Sequence, residues 1–243
     1  MKVLGVIPAR YSSSRFPGKP LIDLKGKSMI QRVYEGAKKS SKIDKVIVAT
    51  DDQRIVDEVN RFGGEVILTS VNHTTGTDRC GEVAKKYPDF DVVINIQGDE
   101  PLVDYRQLDS LIQAFENEYV TIATLGIKDV SLDDIQNSNR IKIVVNHENK
   151  ALYFSRSAVP NFANAKGKPL EIYPFLRHIG LYAFRTKTLF EIIDLEPTKL
   201  ETIESLEQLR WLYYGYSIQI VFTEIETPNI DVPEDVNKVL NFL

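Results

Sequence analysis

Four short apolar runs in the first hundred residues constrain the fold more than any other feature of this chain. Residues 3–8, 45–49, 65–68 and 91–96 are β-branched and almost free of polar alternation, the mark of strands buried on both faces. Between them, residues 28–40, 52–62 and 77–87 carry apolar side chains at helical spacing. Ser28 and Gln31 open the first helix as a capping box, the hydroxyl and the Gln side chain each satisfying an orphan amide. This alternation predicts an α/β fold built on an open, mostly parallel twisted sheet covered on both faces. Ligands of such sheets sit at the carboxyl ends of the strands, so the segments after residues 3–8 and 91–96 come first.

The second half is less regular. Residues 121–128, 141–146, 151–155 and 178–184 read as strands, and residues 130–185 as an antiparallel excursion from the main sheet. Residues 161–171 are polar, with Gly167 and Pro169, and read as a mobile loop. A helix over 201–214, a strand over 217–222 and a helix over 233–242 with Pro233 at its first position complete the chain. With no repeat or linker, residues 1–243 are expected to form one domain.

Composition narrows the function. Thirty Lys and Arg against 34 Asp and Glu give a net charge of −4, which provides no general attraction to nucleic acid or anionic membrane. The one cysteine, Cys80, excludes an intramolecular disulfide framework and any multi-cysteine metal site. The apolar run at the start is too short for a signal peptide, and no stretch approaches the roughly 20 apolar residues of a membrane span. A soluble cytoplasmic protein is the expectation.

The segment from Ile7 to Leu21 follows a buried strand directly, yet holds Arg10, Arg15, Lys19, three serines and Gly18. Small polar residues and cations at a strand's carboxyl end suit a polyphosphate, whose oxygens take amide and hydroxyl donors while the cations neutralise charge. A solvated basic loop is the plainer reading, which the strand context disfavours. The spaced Gly-Lys-Ser/Thr of a Walker loop is missing, which disfavours P-loop hydrolysis. Asn95-Ile96-Gln97-Gly98-Asp99-Glu100-Pro101 ends another buried strand. Asp99 suits Mg²⁺, which takes one or two carboxylates plus phosphate oxygens and water, and it suits a local turn equally well. Asp231 precedes the last helix; Glu234 and Asp235 already serve that helix's dipole, which leaves Asp231 to face a metal.

His73 to Arg79 reads as a recognition loop at a helix start, without zinc-ligand spacing around His73 or His178. Residues 204–210 read as amphipathic, Leu206 and Leu209 inward and Glu204 on a solvated face. No Gly-x-Ser-x-Gly elbow, dinucleotide Gly-x-Gly-x-x-Gly or nucleic-acid module is present. The residues alone point to Mg²⁺-dependent phosphate chemistry on an open α/β sheet.

The order and spacing of these segments, with Tyr153-Phe154-Ser155-Arg156 and His178-Ile179-Gly180-Leu181-Tyr182-Ala183-Phe184-Arg185, resemble the 3-deoxy-manno-octulosonate cytidylyltransferase family nearly end to end. The resemblance implies a nucleotide-diphospho-sugar transferase-like, Rossmann-type fold. The implied reaction joins CTP and 3-deoxy-manno-octulosonate (Kdo), an acidic eight-carbon sugar, into CMP-Kdo and pyrophosphate for lipopolysaccharide synthesis. It implies Mg²⁺ on Asp99 and Asp231, catalytic roles for Arg10, Lys19, Asp99 and Asp231, and a triphosphate loop of Arg10, Arg15 and Lys19. Gly76, Thr77, Arg79 and Gln97 match the nucleotide pocket. Gln97, Arg156, His178, Tyr182, Glu207 and Gln208 match the sugar pocket. A homodimer through residues 130–185 is likewise implied. The family usually has Ser at Thr75, Pro at Ser28 and Thr at Val232. The same chemistry on an 8-amino analogue or another 2-keto acidic sugar is the nearest rival, and a non-catalytic nucleotide-sugar-binding protein a remote one.

Overall fold

A computed structural model covers residues 1–243 and describes all of them except 13–15, 129 and 166. The first half runs β1 (Val3–Ala9), a small hairpin of β2 (Asp23–Leu24) and β3 (Lys27–Ser28), α1 (Met29–Ala37), β4 (Lys45–Thr50) and α2 (Gln53–Arg61). It continues with β5 (Val66–Leu68), α3 (Gly76–Lys85), β6 (Val92–Asn95) and α4 (Tyr105–Gln113). The second half holds β7 (Ile122–Ile127), α5 (Leu132–Gln136), β8 (Lys142–Val145), β9 (Ala151–Ser155), α6 (Pro169–Ile172) and β10 (Leu176–Arg185). The chain closes with α7 (Thr186–Ile192), α8 (Lys199–Glu204), α9 (Gln208–Tyr213), β11 (Ile218–Thr223) and α10 (Asp235–Leu240).

The main sheet has the order β11-β7-β10-β6-β1-β4-β5, with β8 paired to β10 and β9 paired to β8. Pairs β1–β4, β1–β6, β4–β5 and β7–β11 are parallel, and β10 is antiparallel to β6, β7 and β8. The mostly parallel α/β sheet with an antiparallel excursion is therefore as expected. Alternation along β1 sends Val3, Ile7 and Ala9 into one core and Leu4 and Val6 into the other. Both faces are thus covered, which explains why the strands lack polar alternation.

The order reverses about β1: β4 and β5 lie on one side and β6 on the other, so the ends of β1 and β6 border a crevice. Tyr182 of β10 stands opposite Asn95, the last residue of β6, in antiparallel register. The residues of β10 before Tyr182 therefore run past the carboxyl end of β6 and overhang that crevice. A register shift against β7 between Ile179 and Tyr182 bends β10 there.

Local chemistry departs from the expected boundaries in four places. The Ser28 hydroxyl accepts the Gln31 amide, but the Gln31 side chain bonds Glu35 instead of closing a capping box. The helix expected over 201–214 is two helices, parted at Ser205 by a left-handed backbone (φ 51°). Residues 161–171, with 166 outside the described set, lead into the short helix α6. The last helix begins at Asp235 with Glu234 at its N-cap, so Pro233 lies outside it.

Candidate active site

The loop after β1 folds back on itself. The Gly18 N–H donates to the Tyr11 carbonyl (2.9 Å), and Gly18 takes φ 74°, a conformation that strains any residue with a Cβ. This turn delivers Lys19, whose ammonium donates to Asp99 Oδ2 (2.8 Å) and to the Ile230 carbonyl (2.7 Å). The Ile230 N–H in turn donates to the Asp99 carbonyl (3.1 Å). Segments about 80 and 130 residues apart in sequence thus converge, Lys19 meeting Asp99 and the strand-end loop before α10. Arg10 Nη2 donates to the His73 carbonyl and ties the β1 loop to the start of α3. Arg15 lies outside the described residues.

Gly98 permits this convergence: a Cβ there would stand 2.5 Å from the Pro8 carbonyl oxygen. Asp99 and Asp231 follow on loops at the carboxyl ends of parallel strands, both half-buried. Asp235 accepts the N–H groups of Asp231 and Val232 (3.1 and 3.2 Å), and Asn229 donates to Asp231 Oδ2 (3.1 Å). Glu100 is buried beside Asp99; burial, then the Asp99 charge, pushes its carboxyl up to about 8.

Asp99 and Asp231 border a cleft of about 430 Å³, together with Gln97, Arg140, Arg156 and His178. Gln97 donates to the Gly180 carbonyl on the overhanging part of β10 (2.8 Å). The Arg156 guanidinium is braced by the Glu204, Ser138 and Ser205 carbonyls. His178 Nε2 pairs with the Thr124 hydroxyl (2.9 Å). Burial, then the neighbouring Arg177, drives its imidazole down to about 3, so it is a neutral hydrogen-bonding group at physiological pH.

A second polar neighbourhood lies at the starts of α3 and α9. Thr77 donates to Glu207 Oε2 (2.9 Å), and burial pushes the Glu207 carboxyl up to about 7 despite the Thr77 and Thr75 hydroxyls. The Tyr182 ring stands edge-on to Trp211 and 5.3 Å from the His178 ring, which joins the two neighbourhoods. Tyr182 OH, Gln208 Nε2 and Asn95 Oδ1 are buried without a partner in hydrogen-bond geometry. Buried polar atoms of this kind call for a ligand or water to satisfy them. Gly76 and Thr77, expected on the nucleotide side, thus adjoin Tyr182, Glu207 and Gln208, expected on the sugar side.

Two residues sit differently from expectation. Arg79, expected at the nucleotide, is 0% exposed and points inward, donating to Asp51 (2.8 Å) and Thr69 (2.5 Å). It holds the 69–79 loop from within, because a buried guanidinium needs a carboxylate and acceptors around it. Glu204, expected on a solvated face, accepts from the Ser155 hydroxyl (2.8 Å) and the Arg156 N–H (2.9 Å), since the break at Ser205 turns it back toward β9. Sequence reasoning gave no role to Arg140 and Arg177, which share Glu226 at 3.2 and 2.7 Å on the cleft. Arg177 had a signal, its place directly before His178 at the cleft; Arg140 had none.

Comparison with known proteins follows this geometry. Residues 4–220 match the model of the family described as cytidylyltransferase. The chain is 49% identical over 249 residues to 3-deoxy-manno-octulosonate cytidylyltransferase of Parabacteroides distasonis, covering 100% of this chain and 98% of the relative. It is 45% identical over 244 residues to the enzyme of that name from Fusobacterium nucleatum, covering 100% and 97%. A solved structure of CMP:2-keto-3-deoxy-manno-octonic acid synthetase complexed with CTP is 40% identical, with TM-score 0.93 over 100% of this chain and 98% of that one. A 4-diphosphocytidyl-2C-methyl-D-erythritol synthase from Anaerococcus prevotii, 15% identical with TM-score 0.65 over 99% of this chain and 98% of that one, shares the fold. With these matches running from end to end over a crevice built at the switch point of the sheet, the chain belongs to the 3-deoxy-manno-octulosonate cytidylyltransferase family.

Proposed function

We propose that this protein transfers CMP from CTP to the anomeric hydroxyl of Kdo, giving CMP-Kdo and pyrophosphate for lipopolysaccharide synthesis. The observation that carries this reading is the end-to-end likeness, at TM-score 0.93, to a synthetase of that product solved with CTP. The sugar oxygen forms a bond to the α-phosphorus as the bond to the pyrophosphate oxygen breaks, and the hydroxyl proton leaves. Such chemistry rests on positioning and charge neutralisation, without a covalent nucleophile on the protein.

The residues divide the work. Arg10 and Lys19 take the triphosphate, with Arg15 assigned there by resemblance alone. Gly76 and Thr77, at the start of α3, offer backbone amides to the nucleotide. Gln97, Arg156, His178, Tyr182, Glu207 and Gln208 take the sugar, its carboxylate facing Arg156 and its hydroxyls the neutral groups. Asp99 and Asp231 suit Mg²⁺: they are hard oxygen donors on loops joined by the Ile230 N–H, and Asp99 already draws a cation, Lys19. The ion, when bound, supplies charge stabilisation at the phosphate and acidifies a bound hydroxyl.

The same reading includes a homodimer through residues 130–185, supported by the exposed Leu152 and Ile172. It also includes a cytoplasmic setting, supported by the free buried thiol of Cys80, which suits a reducing compartment. Among the described residues, no helix is long and apolar enough to cross a membrane. Pyrophosphate release tests the activity, with Kdo, its 8-amino analogue and N-acetylneuraminate offered in turn with CTP, and ATP offered with Kdo. The highest kcat/KM is expected for CTP with Kdo. Comparable values for ATP end the cytidylyl assignment, and a preference for another sugar ends the Kdo assignment.

A further inference from the structure

Lys142 is a buried cation in a neighbourhood that already holds three others. It is 2% exposed on β8, and its backbone registers with Ser155 on one side and Arg177 on the other. Arg140 precedes it by two residues and Arg156 follows its partner Ser155, so all three cleft arginines surround one lysine. No carboxylate oxygen lies within ion-pair distance of it among the described residues. Burial, against the pull of Glu204, lowers the ammonium's pKa. Without an ion pair among the described residues, its contribution lies in the direction of its hydrogen bonds.

That direction is visible in its hydrogen bonds. Lys142 Nζ donates to the carbonyls of Asn137 (2.9 Å), Arg140 (2.7 Å) and Arg156 (2.5 Å). An ammonium has three donors, and here each has one backbone acceptor. Two of those carbonyls belong to the arginines that border the cleft; the third ends α5, beside Ser138, whose own carbonyl braces the Arg156 guanidinium. We propose that Lys142 is a positioning residue for the sugar side of the site, its ammonium fixing the backbones of Arg140 and Arg156 so that their guanidinium groups face the acidic sugar. This rests on the cytidylyltransferase reading above and extends it to a residue that does not touch substrate. An apolar side chain at this position would leave the Arg140 and Arg156 carbonyls without this donor, the Asn137 carbonyl keeping the Arg140 N–H, and release both arginines.

The test is Lys142→Met beside the wild-type protein, with separate KM values for Kdo and CTP. The sugar KM is expected to rise about tenfold or more, as for a positional error imposed from outside the reacting groups, with the CTP KM within about twofold. Combined with Arg140→Ala and Arg156→Ala together, the variant is expected to lose little more than those two changes alone, because Lys142 acts through these two arginines. A purely structural lysine would lower the melting temperature and shift both KM values together, and that result overturns the proposal. An unchanged sugar KM in a folded variant does so as well. Should Lys142→Met fail to fold, the wild-type protein decides: the assigned ¹⁵N resonance of the Lys142 ammonium is expected to shift on adding Kdo and to stay in place with CTP alone. A resonance indifferent to Kdo refutes the inference. An inactive wild-type protein refutes instead the reading it rests on.

Discussion

Lys19 and Asp99 show how much one pair of side chains does here. The side chains are only 12% and 31% exposed, and the pair sets the spacing of the loops after β1 and β6; an amide at position 99 would still accept from Lys19, which also keeps the Ile230 carbonyl. Asp99→Asn is therefore expected to leave the melting temperature nearly unchanged. Turnover should fall by at least ~100-fold if Asp99 faces Mg²⁺ as proposed, because its charge is then lost from the transition state. Pyrophosphate release across a Mg²⁺ titration checks this, and wild-type turnover at low Mg²⁺ would contradict it. At this scale residue type was legible and direction was not. Arg79 and Arg156 are alike in sequence as cations beside polar neighbours, but Asp51 and Thr69 draw Arg79 inward while Arg156 borders the cleft. Asp51 and Thr69 come from separate strand ends, a tertiary fact that no local pattern carries.

Elements were legible where burial dictates them. The four strands β1, β4, β5 and β6 lie within a residue or so of their expected bounds, because β1, β4 and β6 are parallel strands covered on both faces and so continuously apolar, and the edge strand β5, only partly buried, shares their β-branched run. The break between α8 and α9 was not legible, since Ser205 bears no glycine-like signal for its left-handed backbone. Nor was α4, whose Asp104 cap, accepting the Arg106 N–H, drew no notice in the sequence. Gly98 is the junction where two elements depend on one missing Cβ. Gly98→Ala sets that atom 2.5 Å from the Pro8 carbonyl, a backbone atom that moves only with β1. Overpacking of this kind costs about 1–3 kcal/mol. A lowered melting temperature with a turnover loss larger than the loss of folded protein is expected, because Asp99 is displaced along with Gly98. Thermal unfolding and kcat measured on the same preparation decide; unchanged values in both would show that the loop yields freely.

At the scale of the whole molecule, the antiparallel strand β10 joins the crevice to the region proposed for pairing. It carries His178 over the crevice and, through β8 and β9, extends the sheet into residues that include Arg140 and Arg156. The same extension leaves Leu152 59% and Ile172 66% exposed, apolar side chains with no contribution to make to the core of one chain. If the protein pairs through this region, as proposed, Leu152→Lys with Ile172→Lys should yield a monomer without unfolding it, because exposed positions tolerate substitution within about 0.5 kcal/mol. Light scattering after size exclusion gives the mass directly. The kinetic consequence follows from the geometry: β8 and β9 hold the backbone of Arg156 through Lys142 and Ser155, whereas Arg10 and Lys19 stand on the β1 loop, which is tied to His73, Asp99 and Ile230 instead. The monomer is therefore expected to bind Kdo more weakly while keeping its KM for CTP. A wild-type protein that is monomeric at tens of micromolar would remove the dimer. A monomeric variant with both KM values unchanged would show that assembly and the sugar pocket are independent.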